Sequence, residues 1–559
     1  MPLDYSPRGL KKLFDRLHTD SATAYVVGQE LANYMRPTRT NLITQRQPGA
    51  KQTTFLFDGT ALQESDNLAA ALSGTFTSDA FPWFSLVMQD SALNDDLEVR
   101  KWLWEVEKRI TRSLQQSNFS AEMHEVYLDL VVFGTACLYQ DEIAPNGRDG
   151  FRGFHFKSVP YGQFEFLEGP LGLADTVLRK FPLPVSEAAT FFGGAEKLSE
   201  KSRTLLQTQP EKPIDIVHAV WPTGYEQAGL SFPRGFASRY IEYADEHELR
   251  SRFYYDNPYA IPRWLKTSGE RLGRGPGHNA LPDTRSLNEA VNMRFKSWAK
   301  AIDPPMWELD DSVIGRISLQ AGSRTVVRSK DAIGPIETAA KFEPAMAGEQ
   351  VLQDKIGKFF YADRLKIPGK LYMTAYEVQE QIETMQRHLG PTVGRLKPEL
   401  LRRVVDRSFS IMFRAGALPP LPPVLEAAVA EGRGNINVEY ESPLTRKQRT
   451  GDLVAVERTL QVMAPIIPLR PEVLDNYDLD EIARHVGDTS GMPAKLLMDA
   501  REVLRLRNAR AEGMREKNET EQGVDQAKTL KDVASAAVAA KEAMAPSGPT
   551  NPVVGPPRR

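Results

Sequence analysis

The sequence predicts an α+β, mainly helical protein, and three observations predict it. Apolar residues recur at spacings of three and four over much of the chain, as they do in helices with one buried face. Between residues 151 and 220 that period gives way to short apolar runs broken by Gly and Pro, which read as strands. The composition of the 559 residues is that of a globular chain, 41% apolar and 26% charged. This length corresponds to roughly three to four domains.

Several classes are excluded at once. The 70 Lys and Arg stand against 73 Asp and Glu, a net charge of −3, so the chain is not coated with cations to grip nucleic acid. A single cysteine, Cys137, forbids an intrachain disulfide and a multi-cysteine metal site, and fits a reducing compartment. Met1–Tyr34 carries Lys, Arg and Asp throughout and has no apolar block of signal-peptide type. The longest apolar stretch, Leu130–Tyr139, falls far short of the ~20 residues that span a bilayer. Secreted, disulfide-stapled, transmembrane and wholly disordered proteins are not expected.

The elements follow in order. Leu10, Leu13, Phe14 and Leu17 mark a first helix, and Val27, Leu31 and Tyr34 a second before Pro37. Trp102, Val106, Ile110 and Leu114 mark another, and Met123–Tyr139 reads as a largely buried one. Strands are expected around Phe154, Phe156 and Val159, at Phe164 and Phe166, over Val177–Phe181 and over Ile214–Val220. Pro282-Asp283 and Ser286-x-x-Glu289 give a helix start, with Leu287, Val291, Phe295, Trp298 and Ile302 on one face and Asp303-Pro304-Pro305 as the stop. A second helix begins after Pro344, carries Leu352, Ile356 and Phe359, and stops at Ile367-Pro368-Gly369. Both are expected to run for ~20 residues, or ~30 Å. Between them Ile317 and Leu319 alternate with polar residues, Ala321-Gly322-Ser323 is a turn candidate and Val326-Val327 follows, so the pair brackets a small β-containing insertion. Thr374-x-x-Glu377 caps a long helix, kinked at Gly390-Pro391 and reaching Gly416. Pro419–Pro423 is a stiff linker and Ile436–Tyr440 a strand candidate. The 82 residues after Tyr477 hold no aromatic; Leu496–Arg507 is helical and charged, Val533–Ala545 is Ala-rich, and Pro546–Arg559 is expected to be disordered.

Catalytic signatures are missing. No G-x-x-x-x-G-K-[ST] phosphate loop and no HExxH-type metal spacing occurs among the eight His. Gly269–Gly277 (GERLGRGPG) follows no clear strand and reads as a mobile turn rather than a phosphate cradle. Cys137 lies in an apolar run and reads as core. No catalytic residue, metal or cofactor is therefore expected. Charge is more informative. Residues 283–414 hold 21 Lys and Arg against 17 Asp and Glu, a net of +4 that leaves −7 for the remainder. Lys355, Lys358, Arg364, Lys366 and Lys370 cluster after Asp354, and Arg316, Arg324, Arg328 and Lys330 lie in the insertion. In a closed ring, each such residue becomes a belt that meets a polyanion.

Several stretches together carry a resemblance: Asn118–Tyr139, Phe156–Leu167, Asp175–Phe181, Pro262–Asn288 (PRWLKTSGERLGRGPGHNALPDTRSLN), Thr374–Pro391 and Tyr440–Arg449 (YESPLTRKQR). By their order and number the chain, from about Asp20 to Arg510, resembles the portal proteins, or head-to-tail connectors, of short-tailed bacteriophages. The resemblance implies a portal fold with an α/β wing, a two-helix stem, a small β-containing clip and a helical crown. On this chain the wing is 1–282 plus a long helix at 375–418. Stem helices are 283–302 and 345–365, the clip 303–344 and the channel loop 366–374. A wing–crown transition at 419–494, crown helices at 495–545 and a tail at 546–559 complete it.

It also implies a non-enzymatic ring, typically of twelve copies, at one capsid vertex of the virion, assembled in the host cytoplasm. Double-stranded DNA passes through it without sequence preference. The expected partners are the terminase large subunit, tail adaptor or nozzle proteins, and major capsid and scaffolding proteins, with no membrane. Under it, Leu287, Val291, Phe295, Leu352, Ile356 and Phe359 form the stem packing stripe. Arg364, Lys366, Lys370, Lys355 and Lys358 face DNA. Arg316, Arg324, Arg328 and Lys330 serve the clip and its docking partners. The alternatives are a nuclease or ATPase of the packaging machinery, against which the missing phosphate loop argues, and another ring-forming head–tail adaptor.

Overall fold

A computed structural model of the chain describes residues 4–39, 42–43, 50, 55–78, 83–94, 96–143, 150–170, 172–223, 235–309, 313–314, 326–328, 331, 333–336, 342–362, 390, 392, 394–432, 434, 436–440, 456–465, 470, 477, 479–489, 498 and 500–543. They divide into two compact units, Met1–Val454 and Ala455–Arg559.

The first unit opens with α1 (Pro7–Asp20), capped by Ser6, whose hydroxyl accepts from the Gly9 N–H, and continues into α2 (Ala22–Met35) and α3 (Thr60–Phe76). After β1 (Phe84–Met88) and the single turn α4 (Ser91–Asn94) come α5 (Leu97–Gln115), capped by Asp96, and α6 (Phe119–Phe133). The continuous helix expected to Tyr139 is corrected here. Gly134 takes the left-handed conformation at φ 71°, which a β-carbon disfavours, and Leu138 opens β2 (Leu138–Glu142). An unbroken apolar run hides that change of period, because both elements are buried.

The strands expected from Phe154 to Val220 form as β3 (Phe154–Ser158), β4 (Phe164–Glu168), β5 (Ala174–Pro184) and β6 (Pro213–Thr223). Two short helices, α6 being followed by α7 (Val185–Phe192) and α8 (Glu200–Thr208), separate β5 from β6. β7 (Gly235–Glu242) and β8 (His247–Tyr254) complete an antiparallel sheet of order β4-β5-β6-β7-β8. Its two faces are both covered. Leu10, Leu13, Phe14 and Leu17 of α1 pack on Leu178, Val217 and Ile241, while Val185, Ala188 and Phe192 pack with Ile216, Tyr240 and Leu249. The short β9 (Tyr259–Ala260) adds to β2 and β3 in a three-stranded sheet.

Helix α9 spans Pro276–Ile302 with Pro276 in its first turn, so it starts before the Pro282-Asp283 signal, and Pro282 lies inside it. The short pairs β10 (Met306–Glu308) with β13 (Ile333–Pro335), and β11 (Val313–Ile314) with β12 (Val326–Val327), are antiparallel. Ile317, Leu319 and the expected turn at 321–323 lie outside the described residues. Helix α10 runs Phe342–Phe359, ending before the Ile367-Pro368-Gly369 stop, with Tyr361 at φ 59° just beyond it. The paired helices are thus 27 and 18 residues long rather than matched.

The first part of the expected long helix, Thr374–Leu389, lies outside the described residues. A widened π turn at Lys397–Leu401, which contains Pro398, leads into α11 (Arg402–Arg414), with Gly416 at φ 65° past its end. Then come α12 (Pro423–Ala430) and β14 (Ile436–Tyr440), which pairs antiparallel with β1. In the second unit, α13 (Leu479–Thr489) and α14 (Ala500–Ala543) are joined by a bidentate ion pair from Arg507 to Asp480, at 2.5 and 2.6 Å. Its 44 residues make α14 ~66 Å long.

Candidate functional site

The paired helices α9 and α10 form the part of the chain that the sequence singles out, and their positions are fixed from below. Three alternating glycines precede or open α9. A β-carbon on Gly273 would stand 2.5 Å from the Gly134 carbonyl oxygen, one on Gly275 2.7 Å from that of Val131, and one on Gly277 2.5 Å from that of Val132. Of the stretch expected to be a mobile turn, the part from Gly273 to Gly277 is therefore a close-packed seam against the end of α6, while Gly269 stands exposed. Its glycines permit backbone to meet backbone. His278 completes the start by accepting the Gly275 N–H at 3.2 Å. Burial, with the Arg274 guanidinium nearby, lowers its imidazole to about 4.

Higher up, Asn288 clasps the strip before α3. Its side-chain oxygen accepts the Phe57 N–H at 2.7 Å, and its amide donates to the Phe55 carbonyl at 3.0 Å. Gln353 of α10 reaches the same strip, donating to Asp58 at 3.2 Å. Between the helices, Arg294 Nε pairs with Glu349 Oε1 at 2.9 Å, both largely buried, and the guanidinium lies 4.5 Å over the Trp298 ring.

Of the expected packing stripe, Leu287, Val291 and Ile356 are buried inside the chain's own core, and Leu352 packs against it. Phe295 and Phe359 are exposed. The chain's own fold thus uses four of the six, and Phe295 and Phe359 stay outside its core. Lys355 and Lys358 lie exposed on α10, while Arg364, Lys366 and Lys370 fall outside the described residues. In the insertion Arg328 is exposed, and Arg316, Arg324 and Lys330 fall outside the described residues. Apolar exposure is concentrated here: Met293, Ile302, Met306, Trp307, Leu309 and Ile336 all face water, Ile302 at 85%. Gly334 lets the Trp307 indole lie flat on the opposite strand, since a β-carbon there would meet the ring at 2.7 Å.

Sequence reasoning did not single out Arg263. It is fully buried, and its guanidinium donates to Glu399 at 2.7 Å, Glu168 at 2.5 Å and the Gly172 carbonyl at 2.8 Å. Its backbone N–H also donates to Glu399 at 2.8 Å. One residue therefore ties the end of β4 to the π turn ahead of α11. Nothing local marks it, because Glu399 is distant in sequence; the alternating Gly273, Gly275 and Gly277 would have marked the seam.

One arrangement has the look of chemistry. Ser238 Oγ lies 2.7 Å from His218 Nε2, and Tyr259 OH 2.6 Å from Nδ1. All three are buried in the core, His218 is stacked on Tyr240, and burial pushes the imidazole well below its ordinary value. A nucleophile must meet its substrate; this set satisfies buried polar groups instead. Among the described residues no three His, Cys, Asp or Glu converge as metal ligands, and no helix is long and apolar enough to cross a membrane.

With that geometry in place, comparison with known proteins is decisive. The family described as bacteriophage head to tail connecting protein matches residues 8–497. The chain belongs to this family. Within it, the chain is 27% identical over 499 residues to the probable portal protein of Bordetella phage BPP-1, a match covering 87% of each. It is 24% identical over 497 residues to the portal protein of Salmonella phage epsilon15, covering 86% of this chain and 87% of that one. Among solved structures it is similar to a chain from the neck of a native GTA particle computed with C12 symmetry. That match has a TM-score of 0.33 and 11% identity, and covers 75% of this chain and 93% of the other.

Proposed function

We propose that this head-to-tail connecting protein is a portal subunit. Copies close head to tail into a ring at one vertex of the capsid. Double-stranded DNA passes through the bore during packaging and again during ejection. The observation that carries the reading is the family match over residues 8–497. The names of the two curated relatives support it, and so does the exposed apolar surface on the paired helices and insertion, which a lone chain leaves in water.

In this reading the wing is residues 1–282 with the helix that ends in α11, the stem is α9 and α10, the clip is the insertion, and the crown lies in the second unit. Twelve copies form the ring. The clip, with Arg316, Arg324, Arg328 and Lys330, faces the terminase large subunit and later the tail adaptor, and the wing faces capsid and scaffolding proteins. The particle assembles in the host cytoplasm.

The mechanism is passive. Each phosphate held releases counterions and adds affinity, so many contacts would stall movement in either direction. A net charge of −3 with a few cationic belts suits a wall that guides without gripping. We assign Lys366 and Lys370, with Arg364, Lys355 and Lys358 as further belts, to contact with DNA. Negative-stain electron microscopy tests the ring: a hollow, mushroom-shaped particle is expected, and a solid or monomeric one defeats the proposal. Lys366→Ala with Lys370→Ala is expected to impair packaging or DNA retention; normal values of both would remove the loop assignment.

A further inference from the structure

Helix α5 turns Val99, Trp102, Leu103, Val106, Ile110 and Leu114 inward and packs mainly against α4, β1, α6 and α11. Two bonds fix its rotation about its own axis. Trp102 Nε1 donates to the Pro419 carbonyl at 3.1 Å, and the Arg109 guanidinium donates to the Ala417 carbonyl at 2.8 Å. The face turned away from the core follows from that setting. At ~100° per residue, Lys101, Lys108 and Arg112 fall within ~40° of one another on it, and Trp104 stands ~40° to one side of Lys108. The three cations are exposed and Trp104 is half-buried.

This stripe carries positive charge without a matching acid. Lys101, Lys108 and Arg112 form no ion pair among the described residues, and Lys108 Nζ lies 4.9 Å over the Trp104 ring. The helix holds five Lys and Arg against three Glu. Glu105, at the margin of the stripe, is taken by Arg109 at 3.1 Å. Glu98 lies in the first turn with the capping Asp96, where the helix dipole favours an acid. Glu107 points ~100° away from Lys108. Lys101 to Arg112 covers ~16 Å of helix, a length over which one strand of duplex DNA presents about five phosphates. Contacts between proteins are depleted in Lys. Here two of the three cations are Lys, and between Lys101 and Arg112 the one apolar side chain on the stripe is Trp104. The chemistry therefore fits a phosphate backbone better than a protein surface.

We infer that the Lys101, Lys108 and Arg112 face of α5 is a backbone contact for double-stranded DNA, additional to the cations assigned to the channel. This rests on the DNA-conducting role proposed above and adds a contact in the wing, independent of base sequence. The test is the binding of a short fluorescent duplex to the full chain, followed by anisotropy at several salt concentrations. Each phosphate contact adds ~0.9 to the fall of log K with log salt. Lys101→Glu with Lys108→Glu and Arg112→Glu is expected to reduce that slope by about 2–3 and to weaken binding roughly a hundredfold at low salt, with an unchanged circular dichroism spectrum. Lys101→Arg with Lys108→Arg keeps the charge and is expected to bind as the wild type does. A triple variant with the wild-type affinity and slope, or a wild type that binds no duplex, overturns the contact. So does a polyglutamate chain that binds the wild type more tightly than the duplex and loses that advantage in the triple variant, which would give the face to an acidic protein. Negative-stain images of the same samples report ring formation separately, so loss of the ring reading and loss of this contact are told apart.

Discussion

The five-stranded sheet and the paired helices are neighbours in the first unit, yet they complete themselves differently. The sheet is covered on both faces by its own chain, and Arg263 beside it is 1% exposed with both carboxylate partners in place. The paired helices bury Leu287, Val291 and Ile356 but leave Phe295, Phe359 and, at 85%, Ile302 in water. Water disfavours apolar area wherever it stands, by roughly 25 cal/mol per Å². An exposed apolar patch of this kind is where contact with a second surface would be most favourable. The sheet region should respond to substitution as a fold does, and the helix pair as an interface does.

The largest expected effect lies on the sheet side. Arg263→Ala would leave Glu168 and Glu399 facing an emptied, buried position. Breaking such a set is expected to cost about 3–5 kcal/mol of unfolding free energy, read by urea denaturation of the first unit's signal. A loss near zero would mean that the Arg263 contacts do not hold β4 to the π turn. The next effect is pH-dependent. His278 titrates at about 4 in the folded chain against its ordinary 6.5, so the folded state holds the neutral ring. The unfolded chain binds the proton first as pH falls. This contribution is complete above pH 6.5 and is lost as pH drops through about 4, by roughly 3 kcal/mol in all. His278→Gln is expected to flatten that part of the stability–pH curve; an unchanged slope would place the titration elsewhere.

Much of the sheet region was legible in the sequence, since alternating Phe and Val around 154–220 cannot satisfy a helical period. The helix starts were less so. Pro282-Asp283 imitates a start, but Pro276 beside the Gly275 cap already supplies one, and a proline can be carried inside a helix whose flanks are packed. α3 was missed because Leu68 and Leu72 are diluted by small and polar residues. The contacts that fix the helix pair were illegible for a different reason. Asn288 with Phe57, Arg294 with Glu349 and Arg263 with Glu399 join residues far apart in sequence, and no local period encodes such partners.

Within the helix pair, the internal ion pair and the outer apolar residues should separate cleanly. Arg294→Ala removes the partner of Glu349 and is expected to cost about 1–3 kcal/mol. The loss should appear as faster hydrogen exchange in α9 and α10 with protection of the five-stranded sheet unchanged. The smallest effect on the chain itself is expected from Phe295→Ser combined with Ile302→Ser. Neither side chain is buried in the single chain, so monomer stability should move by no more than about 0.5 kcal/mol. If neighbouring copies cover these residues, the same substitutions remove apolar area from every interface at once, and the yield of assembled rings should fall while melting of the monomer is unchanged. Normal assembly would mean that the exposed face of α9 meets solvent in the ring too, and that stem contacts run through α10 and Phe359 instead.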